Sequence, residues 1–137
     1  MKICISSSGN DLSSPIDPRF GRCRVFLFVD TDTMGYEAVE NPAMMAGGGA
    51  GTQAAQLVAN KGASAVLTGN AGPNAFSALN AAGIDIYVGL AGTAKDAVEK
   101  LTKGELKPIS EASVGRHFGT GGGGGMGGGR GGGRGNF

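Results

Sequence analysis

The sequence predicts one α/β domain, a mixed sheet flanked by helices in the order β-β-β-α-β-α-β-α, followed by a glycine-rich tail. Three observations predict it. Up to Glu40, β-branched and aromatic residues gather in strand-length runs. Beyond Pro42, short helical stripes alternate with short buried apolar runs, the rhythm of parallel strands joined by helical crossovers. A length of 137 residues suits a single domain.

Lys2–Ser7 reads as the first strand, and Arg24–Asp30 (Arg-Val-Phe-Leu-Phe-Val-Asp) as a buried second one. A turn over Thr31–Gly35 leads to Tyr36–Glu40, the returning arm of a hairpin, and Asn41-Pro42 breaks the pattern. Helices are expected over Thr52–Asn60, Asn74–Ala82 and Thr93–Lys103, with strands at Ala65–Thr68 and Ile84–Val88 between them. Gly83 and Gly104 suit left-handed helix ends. In the last helix Ala94, Ala97, Val98 and Leu101 share one stripe, and Thr93 with Asp96 is a capping signal. The first three strands should form a meander and the later ones should run parallel.

Glycine is the compositional anomaly, with 28 in the chain and twelve of them in residues 121–137. That segment has little to bury against the entropy of ordering glycine, so it is expected to be a disordered tail. The division is then residues 1–118 as the folded domain and 119–137 as a Gly/Arg-rich tail. The domain carries ten basic and eleven acidic residues, and Arg130 and Arg134 bring the whole chain to +1. This balance gives no global argument for nucleic acid. No apolar run approaches the roughly 20 residues that span a bilayer. Met1–Ser6 turns polar too quickly for a secretory signal, and the chain has two cysteines, so a cytoplasmic location is expected rather than a disulfide scaffold.

Chemistry concentrates in three segments. Between the first two strands lies Asp17-Pro18-Arg19-Phe20-Gly21-Arg22-Cys23, in a connection long enough to be functional. Guanidinium groups there can hold sulfide, oxo or carboxylate groups, and a thiolate beside arginine has a lowered pKa and can ligate metal, which makes Cys23 the candidate ligand. Two surface arginines and a half-buried thiol are the competing description. Cys4, inside a strand, is expected to be the buried cysteine. The second segment, Gly47-Gly48-Gly49-Ala50-Gly51, opens a helix, where backbone N–H groups and the helix dipole form an anion cradle. The third, Gly69-Asn70-Ala71-Gly72, lies at the carboxyl end of a strand, where open α/β sheets place their ligands. No Asp or Glu occurs between Glu40 and Asp85, which suits an anionic ligand, although tight turns in a compact domain would explain each glycine loop separately. A dinucleotide site would need a strand before the glycines and an acid about twenty residues after them. Neither is present, and there is no phosphate-loop lysine string.

Taken in order, the Asp-x-Arg-Phe-Gly-Arg-Cys segment, Glu40-Asn41-Pro42, the Gly-Gly-Gly-Ala-Gly run, Leu67-Thr68-Gly69-Asn70-Ala71-Gly72 and Ala82-Gly83-Ile84-Asp85-Ile86-Tyr87 form a combination that is similar to a known family. Over about residues 1–110 the chain resembles the dinitrogenase iron–molybdenum cofactor biosynthesis family, which includes NifX-like proteins and the C-terminal part of NifB-like proteins. The resemblance implies a ribonuclease H-like three-layer fold that binds metal–sulfur clusters or their precursors without catalysis. It implies a ligand region at Arg19, Phe20, Gly21, Arg22 and Cys23, faced by Gly47, Gly48, Gly49, Gly51, Gly69, Asn70 and Gly72. The cargo would be an iron–sulfur or a molybdenum- or copper-containing sulfide cluster, and the partners cluster-assembly or acceptor proteins. The tail resembles that of members linked to iron–sulfur storage, where its arginines could bridge clusters between copies of the chain.

Catalytic readings have less support. The single histidine, His117, adjoins the tail, and no base is placed for Cys23 to serve as a nucleophile. A nucleic-acid-associated module using the Arg-Gly-Gly-Gly-Arg-Gly tail is the alternative function, although the near-neutral domain supplies no basic groove. The sequence therefore points to non-catalytic binding, carriage or storage of an anionic metal–sulfur cluster.

Overall fold

A computed structural model of the protein describes residues 1–44 and 48–109. Gly47, His117, the boundary at residue 118 and the tail from residue 119 lie outside the described residues.

The strands are β1 (Lys2–Ser7), β2 (Val25–Asp30), β3 (Tyr36–Glu40), β4 (Ala65–Leu67) and β5 (Asp85–Tyr87). The helices are α1 (Ala50–Asn60), α2 (Pro73–Ala81) and α3 (Ala94–Thr102). The elements alternate as expected, and β1 and β3 span the residues read from the sequence. Helix α1 starts two residues early, because Gly49 turns the chain in the left-handed region at φ 71° and leaves Ala50 and Gly51 free to enter the first turn. In α3, Thr93 stays outside as the cap: it accepts from the Asp96 N–H while the Asp96 carboxylate accepts from its own.

One five-stranded sheet has the order β3-β2-β1-β4-β5. The pairs β1–β2 and β2–β3 are antiparallel, whereas β1–β4 and β4–β5 are parallel. The meander thus grows to one side of β1 and the helical crossovers to the other.

Period-two alternation divides the core into two layers. Cys4, Phe26, Phe28, Val66 and Ile86 face Ala54, Ala55 and Val58 of α1 and Ala75 and Leu79 of α2. Ile3, Ile5, Val25, Leu27, Val29 and Leu67 face Ala94, Ala97 and Val98 of α3. Strands β1, β2 and β4 are covered on both sides, which is why β2 reads as an unbroken apolar run, whereas the edge strand β3 is largely exposed. Past α3 the chain crosses the sheet edge: Leu106 packs on the α3 side and Ile109 on the other, where its N–H donates to Ile86 O at 2.8 Å.

Candidate functional site

At the carboxyl ends of β1 and β4 the chain leaves in opposite directions, one strand toward the meander and the other toward α2. Such a divergence opens a crevice in a parallel sheet. The loop 17–23, the start of α1 and the loop 69–73 all meet here.

Glycine makes the meeting possible. A Cβ on Gly69 would lie 2.6 Å from Pro18 Cα, and one on Gly21 would lie 3.0 Å from both Cα and N of Gly51. A Cβ on Gly51 would meet the Ala75 methyl at 3.1 Å, so α1 and α2 start side by side. Phe20 N–H donates to Asn70 O at 3.3 Å, and Arg19 bridges Asn70 in parallel register. The structure therefore brings Arg19, Phe20 and Gly21 together with Gly51, Gly69 and Asn70. Gly48 and Gly49 are exposed on the approach to α1, and Gly72 precedes α2. Neither α1 nor α2 has a side-chain cap at its N-terminus, in contrast to the capping box of α3.

Four polar residues to which sequence reasoning gave no role in the site hold this cluster. Ser6, fully buried at the end of β1, donates its hydroxyl to Asp17 O at 2.7 Å and shares a hydrogen bond with the buried Thr68 hydroxyl, also at 2.7 Å. Asp17 N–H donates to Ser6 O at 2.9 Å, so the loop is stitched to β1 on both sides of that residue. Asn41 is the fourth: its side-chain amide donates to the carbonyls of Gly21 and Cys23, each at 3.0 Å, and its Oδ1 accepts from Ala43 N–H at 2.9 Å. A signal was available, since serine and threonine at the buried ends of two neighbouring strands need partners.

The arginines are engaged differently. Arg22 Nη1 donates to Met44 O at 2.9 Å. Arg19 pairs with Asp17, the buried carboxylate accepting from Nε at 3.4 Å. Phe20 does not line the crevice: its ring is 2% exposed and packs 5.3 Å from that of Phe26.

Cys23 corrects the expectation of a lowered thiol pKa. It is fully buried, and burial, with the negative charge of Asp17 adding to it, pushes the thiol up to about 12. Arg22 and Arg24 are its neighbours in sequence but are exposed, whereas the thiol points into the core beside Asn41. Cys4 is buried as expected, and its thiol is pushed well above the ordinary range by burial and then by Cys23. Among the described residues, no three His, Cys, Asp or Glu side chains form a group that could hold a metal ion. The loop 17–23 bears two guanidinium groups, and the starts of α1 and α2 bear backbone N–H groups without side-chain caps, donors of the kind that suit an anion.

Comparison with known proteins identifies relatives by sequence and by fold. The family model described as dinitrogenase iron-molybdenum cofactor matches residues 1–104. A protein of Methanocaldococcus jannaschii is 34% identical over 110 residues, covering 78% of this chain and 90% of the relative. The apo form of the orange protein from Desulfovibrio gigas superposes with a TM-score of 0.80 at 38% identity, covering 82% of this chain and 95% of the other. The solution structure of a Thermotoga protein ascribed to NifB superposes with a TM-score of 0.72 at 33% identity, covering 82% and 96%.

Proposed function

This chain belongs to the dinitrogenase iron-molybdenum cofactor family, and from that premise we propose that it binds an anionic metal–sulfide cluster as cargo, without catalysis, to carry or store it. One observation carries the reading. Two helix starts without side-chain caps, both from residues 41–84, which contain no carboxylate, converge with an arginine-bearing loop on a crevice at the diverging ends of β1 and β4. Such N–H groups and guanidinium forks complement sulfide-rich anions. The likeness to a protein whose structure is described as an apo form supports a loaded counterpart here. The strand order, with β2 alone running against the others, supports the ribonuclease H-like description.

In this proposal Arg19, Arg22 and the backbone of Gly48–Gly51 and Gly69–Gly72 face the cargo, while Phe20, Gly21 and Asn41 shape the loop that presents the arginines. Cys23 would ligate metal only after leaving the core, so hydrogen bonding and charge hold the cargo in the arrangement described. An iron–sulfur cluster and a molybdenum- or copper-containing sulfide both fit this chemistry. Partners would be proteins that assemble or accept the cluster, met in the cytoplasm. No helix among the described residues is long and apolar enough to cross a membrane.

Anaerobic preparation followed by metal and sulfide analysis per chain tests the reading. Arg22→Ala should lose about 10- to 100-fold in retention, the size of one charge-assisted hydrogen bond, and Cys23→Ser should retain most of its load. Full retention by both Arg19→Ala and Arg22→Ala would place the cargo elsewhere.

A further inference from the structure

We propose that Asp17 is an internal competitor for Arg19, an anion built into the loop that keeps the cargo exchangeable; the proposal rests on the cargo-site reading above and concerns how that site releases what it holds.

Asp17 is the one acidic residue in segments 12–29 and 41–84, and it lies in the loop that presents the arginines. Its carboxylate accepts from the Arg19 backbone N–H at 2.9 Å and from the guanidinium Nε and Nη2 at 3.4 and 3.5 Å. A negative group thus already occupies the arginine that the cargo would use.

The two partners differ in freedom. The Asp17 side chain is only 10% exposed, and its backbone is fastened to Ser6 through both its N–H and its carbonyl. Ser6 is tied in turn to Thr68, and Pro18 is wedged against Gly69. The carboxylate stays where it is. The Arg19 side chain is 67% exposed, and its guanidinium contacts are longer than the roughly 2.7–2.9 Å of a strong charge-assisted bond. An arriving anion can therefore take the guanidinium while Asp17 keeps the Arg19 backbone N–H. The carboxylate keeps the Arg19 backbone N–H on Oδ1 at either stage, which lessens the penalty for breaking a buried pair. The exchange is reversible in both directions.

The consequence is a site set below the affinity its arginines could reach, as handing cargo onward requires. The test uses the full chain, anaerobically, at fixed ionic strength, with tetrathiomolybdate as a metal–sulfide anion followed by visible absorption. Asp17→Asn preserves an acceptor for the Arg19 N–H and removes the charge. It should bind about five- to tenfold tighter, chiefly through slower dissociation, while Arg19→Ala should bind about tenfold weaker. Asp17→Asn placed on Arg19→Ala should then change nothing further, since no guanidinium remains to compete for. Asp17→Ser, checked by thermal melting, gives a second neutral variant with the same expected tightening. If Arg19→Ala weakens binding but both neutral variants bind as wild type or worse, competition is overturned and the site reading stands. If Asp17→Asn tightens binding equally with and without Arg19, general repulsion replaces competition. If the wild-type chain takes up none of the anion, both readings fall.

Discussion

Pro18 and Gly69 meet so closely that any side chain at residue 69 would overlap the proline, its Cβ lying 2.6 Å from Pro18 Cα and 2.9 Å from Pro18 Cβ. The loop bearing Arg19 rests directly on the backbone that opens the turn into α2. Gly69→Ala must push that loop away, at a cost of about 1–3 kcal/mol, typical of overpacking. Gly48→Ala is the control, because a Cβ there meets nothing within 4 Å. Urea midpoints should fall for the first variant and stay near wild type for the second.

Phe20 is expected to matter for stability before it matters for ligand. Its buried ring joins Phe26 and Phe28 in one aromatic row under the loop. Phe20→Ala should cost about 3–5 kcal/mol, and Phe20→Leu much less. A Phe20→Ala protein as stable as wild type would refute this placement of the ring.

The buried thiols make the fold sensitive to alkali. An ordinary thiol ionises near 9, whereas Cys23 in the folded chain does so near about 12. Between those values the unfolded chain releases a proton that the folded chain keeps, so the contribution of Cys23 is intact below pH 9 and is lost as pH rises toward 12. Tyr87, also raised by burial, adds to the trend. Urea midpoints at pH 7.5 and 10.5 should drop for wild type and drop less for Cys23→Ala. Alkylation at pH 7.5 should be slow at both cysteines until denaturant is added.

Helix α3 depends on its capping box. Thr93→Ala removes the acceptor for the Asp96 N–H at 3.1 Å and should cost about 1 kcal/mol. Thr93→Ser should restore most of it, and hydrogen exchange in residues 94–98 reports the change locally.

The parts of the structure that could be read from the sequence are those set by local pattern. Strand β1 and the stripe of α3 follow from apolar spacing, and the capping box follows from Thr93 and Asp96. The three loops could be named because glycine, arginine and the missing acids are visible in one dimension. What could not be read depends on which side chains meet across the fold. Cys23 stands between two arginines in sequence, yet the turn into β2 sends the thiol inward and the arginines outward. Ser6 and Thr68 are 62 residues apart and touch only because β1 and β4 pair in parallel. Asp17 reads as one letter of a motif until its carboxylate is seen beneath Arg19.

The placement of β1 between β2 and β4 bears on when the chain becomes competent to load. The meander forms between near neighbours in sequence, Ser7 facing Val25 and Val25 facing Glu40. The parallel ladder must bring Ile3 to Ala65, a much longer closure, and long-range pairing of this kind is slow. Until that ladder closes, Pro18 has no Gly69 to rest on and the crevice lacks its second wall. A nascent chain still short of residue 69 therefore has an arginine loop but no receptacle, and uptake of the proposed cargo would wait for the finished fold.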